Sequence, residues 1–339
     1  MEATIDWKGG DGRRLAELRQ RFLEGAAFDD YWRDERLVEL YDQTFGMRIA
    51  WKWDEVLGRV LPRLPESPAG ITDLGCGSAI ASRTLLAQLP AQNGARLTLI
   101  DRSPPALSTA ERLVRGTFPD TPLTPRTTTP PQIEGWALLS HVLTELDEAT
   151  LARWLTALRG ADVILWVEPG HRAAAERLVT VRETLLDDFL PISPCTHDGS
   201  CPLSGAAASG RDWCHQFATP APEAFTDSHW RRFSDTFSVD MRSLPMSHLV
   251  LMRRGLTQAS PADPAQSRIL GRPRIEKGRA FLDLCSSSGY RTVDMLQRTN
   301  KPLFKALDRG KLLNPRVQVA IDGERITSIV STDPDAMRT

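Results

Sequence analysis

Residues 70–79 read GITDLGCGSA, an apolar run that stops in a glycine-rich turn, and SRTLLAQL (82–89) follows with helical spacing. A short apolar segment closed by glycines reads as a buried strand, and strand, turn and helix together as the opening of a parallel sheet. Gly75 and Gly77 let the backbone approach a ligand closely, and the helix that follows offers free N–H groups. A second strand, ARLTLIDRS (95–103), ends in Asp101, twenty-four residues past Gly77. A carboxylate at that place can accept hydrogen bonds from a ribose diol.

The same alternation continues along the chain. WALLSHVL (136–143) runs into TELDEATLARWLTALRG, and DVILWVEPG (162–170) runs into HRAAAERLVTVRETLLDDF. HWRRFSDTF (229–237) and SHLVLMRRG (247–255) supply a closing helix and strand. Strand alternating with helix predicts an α/β fold whose doubly wound, mostly parallel sheet is covered on both faces. Ligands of such sheets bind beyond the C-terminal ends of the strands, where Asp73, Asp101, Ser140–His141 and Glu168–Pro169 fall. His141 and Glu145, four apart, fit either an acid/base pair on one helix face or the capping of a helix start. No catalytic residue can be assigned from the sequence.

Residues 11–66 carry helical periodicity, and Trp32, Trp51 and Trp53 read as packing anchors. The organisation is therefore an N-terminal helical region (1–66), a sheet domain (67–256) and a small domain (257–330), with a polar tail (331–339). The Ala-, Ser- and Pro-rich stretch TQASPADPAQS (257–267) marks the second boundary. At 339 residues the chain is long enough for two or three units. Its net charge of −1 advertises no global field for nucleic acid or membrane. No run of eighteen apolar residues is present, and the N-terminal MEATIDWKGGDGRR reads as neither a secretory nor an organelle signal. The expected setting is a bacterial cytoplasm, and the expected state a monomer.

Three of the five cysteines, Cys195, Cys201 and Cys214, lie in PCTHDGSCPLSGAAASGRDWCHQF (194–217), inside a cysteine-rich insertion at 191–217. Cys285 ends the apolar run AFLDLC. Thiols that only fill a core sit singly on regular elements, and a reducing compartment disfavours disulfides, so metal ligation is the better reading. The intervals of five, twelve and seventy residues lack the paired knuckles of structural zinc. They suit an iron–sulfur cube, although spacing alone admits zinc as the alternative. His197 and His215 could substitute for a ligand or support one. Cys76 belongs to the glycine turn.

The C-terminal domain shows short strands, one helix and an Asp322-Gly323 turn. Residues 261–330 hold thirteen Lys and Arg against seven Asp and Glu. That surplus suits RNA phosphates, with Arg272, Arg274, Lys277 and Arg279 as the candidates in RILGRPRIEKGR (268–279), or equally a solvated face.

The pattern Asp73-x-Gly75-x-Gly77-x-Ala79 resembles motif I of class I S-adenosylmethionine-dependent methyltransferases, whereas a dinucleotide site would place glycine where Ile80 stands. With SHVLTEL, WVEPG, PCTHDGSCP, DWCHQF, LVLMRR and GRPRIEKGRAFLDLC, the chain is similar to a methyltransferase-like family associated with the small ribosomal subunit, over roughly residues 30–310. The resemblance implies a class I methyltransferase-type fold with a basic α+β C-terminal domain. It implies S-adenosylmethionine on Asp73, Gly75, Gly77, Ala79, Asp101 and Ser140. It also implies a [4Fe-4S] cluster on Cys195, Cys201, Cys214 and Cys285. Four protein ligands leave no open iron, so such a cluster is structural or sensing rather than a radical generator. The implied partners are the small subunit and its rRNA. Two functions follow from the resemblance: an rRNA methyltransferase acting in ribosome assembly and translation, or a non-catalytic assembly factor. The Asn/Asp-Pro-Pro-aromatic motif of amino-group methyltransferases is missing after Leu139.

Overall fold

The strand at the glycine turn, β1 (Gly70–Leu74), is buried along nearly its whole length, as a strand must be when helices cover both faces of its sheet. A computed structural model describes residues 5–24, 30–90, 94–204, 213–256, 266–310 and 314–332. Most of the 257–267 stretch, part of the cysteine-rich insertion and most of the tail lie outside the described residues. The chain divides into two compact units, Met1–Glu168 with Ala218–Leu244, and Pro169–Phe217 with Pro245–Thr339.

In the first unit β1 pairs in parallel with β2 (Arg96–Ile100) on one side. Beyond β2 lies β3 (Leu123–Arg126). On the other side β1 pairs with β4 (Trp136–Ser140), and β4 with β5 (Val163–Pro169), again in parallel. The order is 3-2-1-4-5, with the reversal between β1 and β4, the place where open α/β sheets bind ligands. Helices Ile80–Gln88, Pro104–Thr117 and Glu148–Leu158 connect the strands. Asp147 caps the last of these by accepting from the Thr150 N–H at 2.6 Å.

The N-terminal region is helical as its periodicity predicts, with helices Gly10–Glu24, Glu35–Tyr41 and Met47–Val60. A π-turn at Asp42–Gly46 joins the last two. Trp32, Trp51 and Trp53 are all buried, each contributing about 1.5–3 kcal/mol or more through apolar area removed from water.

In the second unit, helix Arg172–Leu185 precedes β6 (Phe189–Ser193). The short β7 (Gln216–Ala218) and β6 both pair with β8 (Leu244–Arg253), and β6 runs antiparallel to it. The C-terminal strands are β9 (Gln266–Glu276), β10 (Arg279–Ser286), β11 (Gly289–Leu296), β12 (Arg316–Asp322) and β13 (Arg325–Ser331). They close into a barrel in the order β10-β11-β13-β12-β9. β11 and β13 pair in parallel, and helix Lys301–Asp308 lies between β11 and β12 in the chain. Leu303, Phe304 and Leu307 of that helix join a barrel core of Ile269, Leu282, Leu284 and Val293. Counted within the domain, this is the 1-2-3-5-4-1 order of an OB barrel. The expected small α+β domain is thus a closed barrel with one helix.

Candidate functional sites

At the sheet's reversal point the turn after β1 is built by positive φ angles. Gly75, Gly77 and Ala79 have φ of 71°, 53° and 58°. The Gly75 and Cys76 N–H groups donate to the carbonyl of Ile100 at 2.8 and 3.0 Å, locking the turn against the end of β2. Ala79 holds a left-handed conformation that glycine would adopt without strain, at about 1–2 kcal/mol. A Cβ on Gly77 would come no closer than 4.0 Å to its nearest neighbour, Trp32, so this glycine's bare face is open.

Asp101 is fixed by two backbone donors: the Gly77 N–H at 2.9 Å to Oδ2 and the Ser103 N–H at 2.9 Å to Oδ1. Each oxygen keeps a second lone pair. Asp73 accepts from the Ser82 hydroxyl at 2.6 Å through Oδ2, whereas its Oδ1 is buried and unbonded among the described residues. Burial raises both carboxyls, that of Asp73 to about 7. Close by, Tyr31 donates to Glu145 at 3.0 Å, and burial lifts Glu145 to about 8. These carboxyl groups, one with an unbonded buried oxygen, fit a ligand that carries positive charge and a diol, which is the chemistry of S-adenosylmethionine.

Ser140 accepts from the Trp53 indole N–H at 2.9 Å and lies 3.4 Å from Nδ1 of His141. The alternative of a His141–Glu145 pair on one helix face does not form. His141 takes a left-handed φ of 56° at the end of β4, and Glu145 ends a single 3-10 turn. His141 Nε2 instead meets Lys52 Nζ at 3.1 Å, and burial brings Lys52 down to about 7. Glu168 accepts at Oε1 from the Val142 and Leu143 N–H groups and from the Trp166 indole. Burial raises Glu168 to about 7. Sequence reasoning missed Lys52. Its one signal is a cation set between Trp51 and Trp53 on an amphipathic helix.

In the second unit the four distant cysteines gather. Cys201 and Cys285 are buried in one apolar cluster with Leu203 and Leu270, against which Cys214 packs. Cys195 accepts from Arg182 Nε at 3.3 Å, and Cys214 from Arg268 Nη2 at 3.2 Å. Burial raises the Cys201 thiol to about 12, helped by Cys214, Cys195 and Cys285. Burial raises Cys285 to about 11 against the pull of Arg268.

Both arginines are buried, at 2% and 3% exposure, and burial disfavours their charge. The neighbouring sulfurs, with Glu183 beside Arg182, outweigh it and favour both charges. Arg182 also donates to the carbonyls of His197 and Gly199 and to the carboxylate of Glu183. Arg268 leaves Nε and Nη1 unbonded among the described residues. His197 is buried, and His215 Nδ1 lies 2.9 Å from the Trp213 carbonyl. Among the described residues no three or more His, Cys, Asp or Glu stand as a formed metal-binding group. The donor chemistry nevertheless fits an anionic metal–thiolate centre, because two buried cations face four thiols. Cys76 is buried in the glycine turn of the other unit.

The parallel sheet, its order and the turn at its reversal point define an α/β protein of the class I methyltransferase type. The sequence profile of the family described as "Mitochondrial small ribosomal subunit Rsm22" matches residues 55–309, and the chain belongs to that family. No curated protein sequence matches it. Among solved structures it is similar to magnesium protoporphyrin IX methyltransferase (ChlM) from Synechocystis PCC 6803 with bound SAM. That match has 13% identity and a TM-score of 0.39, over 75% of this chain and 100% of that one. The mitomycin 7-O-methyltransferase MmcR matches at 17% identity and a TM-score of 0.37, over 73% and 69%. The pyocyanin biosynthetic protein PhzM matches at 14% and 0.38, over 73% and 71%.

Proposed function

We propose that this methyltransferase-like protein of the small-ribosomal-subunit family binds S-adenosylmethionine at the β1 turn and carries a [4Fe-4S] cluster on Cys195, Cys201, Cys214 and Cys285. Its task is the assembly of small subunits or their entry into translation, in the cytoplasm for a bacterial member. The observation that carries the cofactor reading is Asp101, held by the N–H groups of Gly77 and Ser103 with a lone pair left on each oxygen. Asp101 would hold the ribose, and the open face of Gly77 would let the amino-acid end lie against backbone, with Gly75, packed on Val142, shaping the turn. Asp73, Ala79 and Ser140 complete the proposed contacts. When bound, S-adenosylmethionine supplies an electrophilic methyl group.

For the thiols, the support is the buried Arg268 guanidinium, which bonds to Cys214; Arg182 has Glu183 as well as Cys195. A buried cation without an anionic partner is costly, and thiolates ligating a metal would supply one to Arg268. The irregular spacing favours a cluster over zinc. When bound, the cluster supplies a cross-link between the 194–214 segment and β10.

A second reading, a non-catalytic assembly factor, is favoured by the groups at the end of β4. Ser140 is bonded to Trp53, His141 meets Lys52, and Glu145 accepts from Tyr31. These polar groups bond within the unit, as in a scaffold. Anaerobic purification followed by iron, sulfide and bound-cofactor analysis tests both sites together. Cluster-replete protein that binds no S-adenosylmethionine in calorimetry removes the enzyme reading and leaves the scaffold.

A further inference from the structure

Trp213, His215 and Phe217 stand at alternate positions, the first two on either side of a bend at Cys214 and the last on β7. Their rings form a ladder, with centroids 4.8 Å apart between Trp213 and His215 and 5.4 Å between His215 and Phe217. The middle ring rests on bare backbone, since a Cβ on Gly271 would come within 2.9 Å of His215 Nε2. A guanidinium closes each end: Arg172 lies 5.6 Å from the Trp213 ring and Arg272 lies 4.7 Å from the Phe217 ring.

The barrel continues the pattern. β9 bulges between Leu270 and Arg274, where its register against β10 shifts, and the bulge carries Arg272. Two residues further on, Arg274 lies 4.0 Å from the ring of its register partner Phe281, with Arg279 on the same ring at 5.8 Å. All four rings are half-buried, whereas Arg272 and Arg274 are exposed. Three of these arginines also form ion pairs: Glu176 is 3.7 Å from Arg172, Glu276 3.7 Å from Arg274 and Asp294 3.5 Å from Arg279. Four guanidinium–ring approaches on three rings thus lie on this one stripe.

We propose that this arginine–aromatic stripe is a binding face for single-stranded RNA. Half-exposed rings give unpaired bases something to stack on, and guanidinium planes both stack on bases and bind phosphates. A duplex hides its base faces and offers only phosphates. Barrels of this strand order bind oligonucleotides on the face of their second and third strands and on the loops beside it; Phe281 lies on the second strand, β10, and Arg274 and Arg279 flank the loop that leads into it. The inference deepens the small-subunit reading, on which it rests for the choice of RNA over DNA. It is independent of the methyl donor, and because Trp213 and His215 flank Cys214 its test uses cluster-replete protein.

The test is fluorescence anisotropy of the full-length protein with an unstructured RNA of about 12 nucleotides, within the span such barrels cover, beside duplex RNA and DNA of equal length. Single-stranded RNA is expected to bind tightest. Trp213→Ala with Phe281→Ala should weaken it by roughly tenfold or more, while Trp213→Phe with Phe281→Tyr retains affinity. Arg272→Gln with Arg274→Gln should reduce the salt slope by about 1.4, two phosphate contacts on a single strand. Thermal melting checks folding, and if the alanine pair unfolds, the conservative and arginine pairs carry the test. Equal affinity for duplex, an unchanged alanine pair with an unchanged salt slope, or a conservative pair as weak as the alanine pair would overturn the proposal. Equal or tighter binding to DNA overturns the choice of RNA. Wild-type protein that cosediments with small subunits yet binds no single-stranded RNA defeats this inference alone; protein that does neither defeats the association as well.

Discussion

Arg268 on β9 donates to the sulfur of Cys214 at 3.2 Å while standing directly across the ladder from Cys285 on β10. One buried guanidinium is thus set between two of the four thiols that the sequence singles out. Burial opposes its charge and the neighbouring sulfurs favour it, an arrangement that metal-bound thiolates would stabilise. Arg268→Met should therefore lower the iron and sulfide retained after anaerobic purification to a small fraction of wild type. Arg268→Lys, which keeps charge but loses the planar fork, should retain an intermediate amount. Metal content measured per chain decides it, and equal content in all three proteins would show that the guanidinium is not the counter-charge.

Asp101 has two duties. It orients the turn through Gly77 and Ser103, and in the proposed function it would also hold the ligand's ribose. Asp101→Ala should weaken S-adenosylmethionine binding by about 1.5–3 kcal/mol, the range for losing hydrogen bonds to a charged group. Gly77→Val should abolish binding, because its φ of 53° strains any β-branched residue and the new side chain fills the open face. Calorimetry on cluster-replete protein reads both variants.

The pH dependence of stability turns on Glu145. Burial lifts its carboxyl to about 8, against the hydrogen bond from Tyr31, which lowers it. A carboxyl raised in the folded state stabilises fully below its unfolded pKa, near 4.3. That stability fades as pH rises through the folded value, because the native state then binds the extra proton. Urea unfolding between pH 5 and 9, on the order of the range these values span, should show wild type losing stability relative to Glu145→Gln. The limiting slope is about 1.4 kcal/mol per pH unit for one proton. Parallel profiles for the two proteins would mean that Glu145 does not titrate in this window.

The β1 turn could be read in the sequence because GITDLGCGSA leaves the chain little choice: an apolar run, then glycines at the positive φ positions Gly75 and Gly77. Ala79 departs from glycine although its φ of 58° is left-handed. The barrel could not be read, since closure depends on pairings such as β12 with β9 across dozens of residues, and local patterns carry no register. Lys52 and His141, 89 positions apart, are joined only by the fold. In the sequence Arg182 and Arg268 are two among 42 Lys and Arg. The signal overlooked is their setting, one beside buried Val181 and Leu185 on a helix and the other heading the apolar run Ile269–Leu270.

The remaining prediction is that Cys195, Cys201, Cys214 and Cys285 act as one site while Cys76 stands apart. Cys201 and Cys285 share an apolar cluster against which Cys214 packs, and Cys195 is tied to the same region through Arg182. Thiols raised to about 12 and about 11 are poor thiolates unaided, so a metal that displaces their protons would convert an unfavourable burial into ligation. Each Cys→Ser change at 195, 201, 214 or 285 should abolish the brown chromophore. Each should also raise hydrogen exchange in both 194–204 and 266–286, since ligation ties these segments together. Cys76→Ser, in the glycine turn, should leave chromophore and exchange unchanged. Loss of colour with only one of the two segments loosened would mean that the cluster is held locally, and full colour in Cys285→Ser would remove that residue from the site. Zinc found at stoichiometry in place of iron would change the metal and leave the four-sulfur site standing.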